Sequence, residues 1–195
     1  MELACDLEEI DIHVELPSPM REVPKSFYTL NNLKVLKLAS VMIMDAQGSV
    51  FLPRMKTLKL SGVKTMEGES FSRLIDGCPA HLEECCCFSR PKITTSSQFL
   101  KSMTIVGNHD LQNTVHPIVI QAPNLEHLQL WNFEELEIVG NSPWSGLESA
   151  RLDVSYQNHA SLIALLARIS NAKQMWLSSQ TLVIIQNYSF FSCSP

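Results

Sequence analysis

Glycine is scarce in this chain, with 7 residues among 195. Loops that cradle phosphate need clustered glycines, and neither G-x-x-x-x-G-K-[ST] nor G-x-G-x-x-G occurs. The zinc-protease pattern H-E-x-x-H and the nucleophile elbow G-x-S-x-G are absent as well. No enzyme activity and no cofactor are therefore expected. Charge is also sparse, at 18% of residues, and Lys plus Arg (15) is outnumbered by Asp plus Glu (20). A mildly acidic chain without a Lys/Arg run argues against nucleic-acid and anionic-membrane partners. No run of about 18 apolar residues occurs, so no membrane span is expected. Met1-Glu2-Leu3-Ala4-Cys5-Asp6 lacks the basic start and apolar run of a signal peptide. The location expected on that basis is cytoplasmic or nuclear.

Cysteine is present, but in a pattern that suits disulfides poorly. Three of the six are adjacent: Cys85, Cys86 and Cys87. With Cys78 and His81 they make a metal-like cluster of suitable donor types. Their spacing is not that of a paired C-x-x-C site. Alternate residues of a strand face opposite ways, which would separate Cys86 from Cys85 and Cys87. Buried free thiols at Cys85 and Cys87, and no zinc, are expected. His109, Asp110 and His116 fall in a predicted loop without fixed geometry, and Asp76 with Glu83 and Glu84 reads as solvated charge.

Leucine, by contrast, recurs in a fixed pattern. Leu33, Leu36 and Leu38 have the spacing L-x-x-L-x-L, and Leu125, Leu128 and Leu130 repeat it. Looser copies start at Leu7, Met55, Leu82, Leu100, Leu147 and Ala172. The eight starts are 26, 22, 27, 18, 25, 22 and 25 residues apart, mostly inside the roughly 20–29 residue period of leucine-rich repeats. Each copy predicts one short strand with its leucines turned inward. A single copy cannot bury that face, so neighbours must stack. The fold class expected is α/β: a leucine-rich-repeat solenoid, right-handed, with a curved parallel sheet and irregular or helical outer segments.

Two helices are predicted on the outer side. Phe71, Leu74 and Ile75 share one face over 67–79, where Gly77 would take a left-handed conformation and Pro79 would stop the helix. Leu162, Leu165, Leu166 and Ile169 make the stripe of a second over about 159–169, with Asn158 as its cap. The repeat domain is placed at 1–182 with about eight degenerate copies. Residues 183–195 are expected to be a poorly ordered tail without a further copy.

The outward positions carry the candidate site. In the last three copies they are His127, Gln129, Trp131; Ser149, Arg151, Asp153; and Gln174, Trp176, Ser178. Stacking aligns Gln129, Arg151 and Trp176 in one rung, with Trp131 diagonal to it. Trp and Arg are enriched at binding hot spots, and Arg can lie over an indole face. The partner-binding residues expected are Trp131, Arg151, Trp176 and Gln129. The alternatives are a structural ladder, or a Trp covered by the C-terminal tail.

Several segments together resemble plant F-box proteins with leucine-rich repeats (the F-box/FBD/LRR type). They are Leu52-Pro53-Arg54-Met55-Lys56-Thr57-Leu58, Leu74-Ile75-Asp76-Gly77-Cys78-Pro79, Ala122-Pro123-Asn124-Leu125-Glu126-His127-Leu128, Leu147-Glu148-Ser149-Ala150-Arg151-Leu152-Asp153-Val154 and Leu165-Leu166-Ala167-Arg168-Ile169-Ser170. The resemblance implies the substrate-recognition region of an SCF-type ubiquitin ligase, whose F-box binds a Skp1-like adaptor while the repeats hold an unknown protein target. The repeats here begin at about residue 7, so this chain alone is not expected to bind the adaptor. The alternative reading is a degenerate or truncated family fragment without F-box and without retained ligase function.

Overall fold

The computed structural model describes residues 6–15, 21–43, 50–61, 63–65, 70–78, 84–88, 93–95, 97–106, 118–133, 138–139, 143–154 and 159–191. For 64–65, 70–71, 84–88, 93–95, 118, 132–133, 138–139, 159 and 187–191 the description is of the backbone alone.

The strands, in chain order, begin with β1 (Glu9–His13), β2 (Arg21–Glu22), β3 (Val35–Ala39), β4 (Val41–Ile43), β5 (Thr57–Ser61), β6 (Lys64–Thr65) and β7 (Glu84–Phe88). They continue with β8 (Ile93–Thr95), β9 (Ser102–Val106), β10 (Ile118–Ile120), β11 (His127–Phe133), β12 (Ile138–Val139), β13 (Ser149–Val154) and β14 (Gln174–Leu177). Among the described residues the α-helices are α1 (Ser70–Asp76), α2 (His159–Arg168) and α3 (Ser179–Phe191), with a 3-10 helix at Lys25–Thr29. The fold is thus mixed α/β with parallel sheets and few helices.

The main sheet runs β1-β3-β5-β7-β9-β11-β13-β14, one strand from each of the eight sequence copies, every pair parallel. Its register places like positions side by side: Ile10 on Leu36, Leu36 on Leu58, Met103 on Leu128 and Leu128 on Ala150. All six of these side chains are buried, and the leucine, methionine and alanine positions from 36 to 150 are 0% exposed. Among the described residues, the inward positions of the end copies are the more open ones. Leu7 and Ile12 are half-buried, and Met175 is 42% exposed, because each end strand has a neighbour on one side alone.

In several copies a turn fixes the register. Just before a strand, the N–H of the copy's first residue donates to the carbonyl three residues back: Met55 to Leu52, Leu125 to Ala122, Leu147 to Trp144 and Ala172 to Ile169. The next two N–H groups then share one carbonyl of the preceding copy, as Lys56 and Thr57 do with Lys34, and Glu148 and Ser149 with Glu126. Proline fits the second turn position of Leu52-Pro53-Arg54-Met55 and Ala122-Pro123-Asn124-Leu125, where no N–H is called on.

After the main strand the chain turns sharply into a second, shorter one. Ser40 lies between β3 and β4 at φ 54°, a left-handed corner, and its N–H donates to Ser61 O at 2.8 Å. The short strands build two three-stranded parallel sheets, β2-β4-β6 and β8-β10-β12. Val41, Ile43 and Ile120 from these strands are buried and join the same core.

Both predicted helices are present. Leu74 and Ile75 of α1 are buried, as are Leu162, Leu165 and Ile169 on and just after α2, with Leu166 half-buried. Pro79, Asn158 and the side chain of Phe71 lie outside the described residues. Gly77 has another role than the left-handed one expected, since its φ is not positive. A Cβ there would lie 2.7 Å from Val50 O and closer still to the Val50 side chain, so glycine is required by close approach.

The C-terminal segment continues beyond β14. Where no further copy and a poorly ordered tail were expected, α3 forms at Ser179–Phe191. Ser178 Oγ accepts the Thr181 N–H at 3.2 Å, an N-cap bond. Thr181 is fully buried and closes β13, with its hydroxyl accepting from Val154 N–H at 3.0 Å and lying 3.1 Å from Val154 O.

Candidate functional site

The outward residues of β11, β13 and β14 meet as their spacing predicts. Gln129 pairs in register with Arg151, and Arg151 with Trp176. Trp131 sits beside Asp153, one position along. The guanidinium carbon of Arg151 lies 5.0 Å from the Trp131 ring centroid and 5.8 Å from that of Trp176. Since β13 runs between β11 and β14, the two indoles flank the guanidinium from opposite sides. Trp131 Nε1 donates to Gln129 Oε1 at 3.3 Å.

Exposure separates the two tryptophans. Trp176 is 46% exposed and α3 leaves it open, whereas Trp131 is half-buried rather than exposed. The register between β11 and β13 shifts between Trp131 and Phe133, and such a bulge re-aims the side chains next to it. Cation–π contacts at exposed sites contribute only about 0.5–1 kcal/mol. A buried leucine contributes several times more, so the fold does not depend on this cluster.

Neighbouring polar groups are mostly satisfied. His127 Nδ1 lies 2.8 Å from Ser149 Oγ, in the row below the Arg151 rung. Position two of every copy is charged: Glu8, Lys34, Lys56, Glu83, Lys101, Glu126, Glu148 and Lys173. Stacking turns that column into ion pairs at the sheet rim, Lys34–Glu8 at 2.6 Å, Lys101–Glu126 at 2.8 Å and Lys173–Glu148 at 2.9 Å. The hydrogen bond and charge of Lys173 hold the Glu148 carboxyl below its usual range. Lys101, Glu126, Glu148 and Lys173 also line a groove of about 550 Å³, whose charges are thus largely neutralised in place. At the other end of the sheet, Lys37 is paired to Glu9 at 2.7 Å and lies 3.6 Å from Asp11.

This column was legible as eight charged second positions, a signal that the leucine pattern overshadows. A second feature was not legible. Arg168 is buried at 6% exposure, its guanidinium carbon 4.0 Å from the Trp144 ring centroid, and Nη2 donates to Ile120 O at 3.0 Å. Burial lowers its pKa. It ties α2 to β10 and to the turn before the seventh copy, and its role is structural.

Cys85 and Cys87 stand in register with Leu58 and Leu60, but their side chains, with His81, His109, Asp110 and His116, lie outside the described residues. Cys78 is a buried thiol, outside any disulfide, that donates to Leu74 O at 3.1 Å. Among the described residues no three His, Cys, Asp or Glu side chains are placed to hold a metal ion. No helix there is long and apolar enough to cross a membrane.

One strand per copy, leucines inward and variable side chains outward are the marks of a leucine-rich-repeat protein. Residues 2–145 match the family described as FBD-associated F-box protein At5g56370, LRR repeats, and the chain belongs to that family. It is 31% identical over 160 residues to the putative FBD-associated F-box protein At1g78730 of Arabidopsis thaliana, covering 72% of this chain and 38% of the relative. It is 27% identical to the F-box protein At1g60400 of the same plant, covering 94% and 48%. With the putative F-box/FBD/LRR-repeat protein At4g13965 it shares 28% identity, covering 93% and 42%. The chain therefore spans less than half the length of these relatives. No solved structure matches it significantly.

Proposed function

We propose that this chain is a protein-binding leucine-rich-repeat solenoid that uses the outward face of its C-terminal copies to hold a protein target. The observation that carries the reading is the Trp131–Arg151–Trp176 cluster on strands that need none of these side chains for their core. Stacked copies collect outward side chains on one extended surface, and curvature would make it concave. The names of the relatives extend the reading: joined to an F-box, such a module would present a substrate to a ubiquitin ligase. Binding, not catalysis, is its work.

The alternative of a decayed fragment is disfavoured by the core. Relaxed selection admits polar residues inward, yet the three inward positions of the second, third, fifth, sixth and seventh copies are all apolar and buried. The test is binding of a captured target by variants. Trp131→Ala or Trp176→Ala should each weaken it by about 2 kcal/mol or more. Lys37→Ala, already paired and several strands away, should change it little. Negligible effects from both Trp changes, with an intact fold, would place the site elsewhere.

A further inference from the structure

The hydrogen-bonding inventory of the Arg151 rung points to a particular chemistry in the partner. The indole N–H of Trp131 can only donate, so Gln129 must turn its amide oxygen toward it. That leaves the Gln129 NH₂ directed away, as a donor. Arg151, its next-strand neighbour, carries five N–H donors and no acceptor. Its contacts among the described residues are the two indole rings, with no hydrogen bond or ion pair. Adjacent strands are about 4.8 Å apart, so both donor groups face one small region. Thr104 and Asp153 face the same side, yet among the described residues neither accepts a hydrogen bond from these donors, which thus form half of a recognition pair.

We propose that this rung takes the carboxylate of an acidic side chain on the partner, while apolar residues beside that acid lie against the indoles of Trp131 and Trp176. The inference rests on the reading of this face as the partner-binding surface. Guanidinium and carboxylate match in a planar, bidentate fork, with the Gln129 amide as a third donor. Asp153 faces outward two residues along β13, beside Trp131, and the whole chain carries a charge of −5. Both features repel a dianion or an acidic tract more than a single carboxylate. The fitting ligand is one Asp or Glu in an apolar setting.

The experiment is selection of a random dodecapeptide display library on the full chain, followed by tryptophan-fluorescence titration of enriched peptides. Enriched peptides should share one Asp or Glu next to apolar residues. Exchange of that acid for its amide should weaken binding about ten-fold or more, the effect of losing a charge-assisted bond. Arg151→Gln should weaken it by a similar factor, and the two changes together should lose little more than either alone. Arg151→Lys, which keeps the charge but not the fork, should recover only part. These positions are outside the core, and unchanged circular dichroism would exclude misfolding.

Peptides that need Trp131 and Trp176 but no acid would overturn the carboxylate and leave the recognition surface standing. Peptides indifferent to Trp131→Ala and Trp176→Ala, or no enrichment at all, would count against both. A phosphoserine in place of the acid that binds about ten-fold tighter or better would assign the rung to phosphate and overturn the proposal.

Discussion

Leu128→Ala and Met175→Ala should differ sharply in cost, although the two side chains occupy the same column of the sheet. Both are in register with Ala150, through β11 and β14 respectively. Leu128 is 0% exposed and has a neighbouring strand on each side. Its truncation removes three carbons, worth roughly 2.4 kcal/mol at about 0.8 each. Hydrogen bonds to β9 and β13 keep the walls from collapsing. A residual hole of roughly 60 Å³ then adds about 1.5 kcal/mol. The sum, about 4 kcal/mol, falls within the range of buried Leu→Ala changes. Met175 is 42% exposed, with no strand beyond it among the described residues. Its transfer term is nearly halved and any gap opens to water, so about 1 kcal/mol is expected. Urea unfolding followed by circular dichroism measures both, as shifted midpoints with unchanged slope. Equal losses, or less than about 1 kcal/mol for Leu128→Ala, would refute the stacked core.

Other consequences test single contacts. Gly77→Ala should destabilise by about 1–3 kcal/mol, because the new methyl meets Val50 backbone, and the same urea titration reads it. Thr181→Val keeps the shape but leaves the buried Val154 N–H unpaired, so a loss of about 1–3 kcal/mol is expected, with Thr181→Ser close to wild type. The Tyr28 hydroxyl is buried without a hydrogen-bond partner among the described residues, and burial pushes its pKa up to about 12. Its neutral form therefore stabilises the fold fully below pH ~10, and that contribution is lost as pH rises from there toward the folded value. Tyr28→Phe should cost almost nothing at neutral pH and should flatten the alkaline loss of stability; an unchanged alkaline slope would show that Tyr28 does not cause it.

How much was legible from the chain follows from where each signal lives. Inward positions were readable because a strand alternates with period two and the copies repeat on a longer period. Leu36, Leu58, Met103 and Leu128 then fall in one column by counting alone. The Gln129–Arg151–Trp176 rung was readable for the same reason, since aligned copies fix which outward residues become neighbours. Counting does not give exposure, so the half-burial of Trp131, whose ring lies against Arg151, was missed. Strands of two or three residues, such as Val41–Ile43 and Ile138–Val139, are too short to show alternation. In α3 the run Leu182-Val183-Ile184-Ile185 is apolar on successive residues and so marks no single helix face. The readable signal there was the pair Ser178 and Thr181, three apart, as in a helix cap. That pair matters because it turns the chain back onto β13 and buries Thr181, while Leu182 at 43% and Val183 at 54% stay exposed. Stacking removes outer faces from water one neighbour at a time, so the last copy remains partly open, and Trp176 is accessible there for the same reason that Met175 is weakly held.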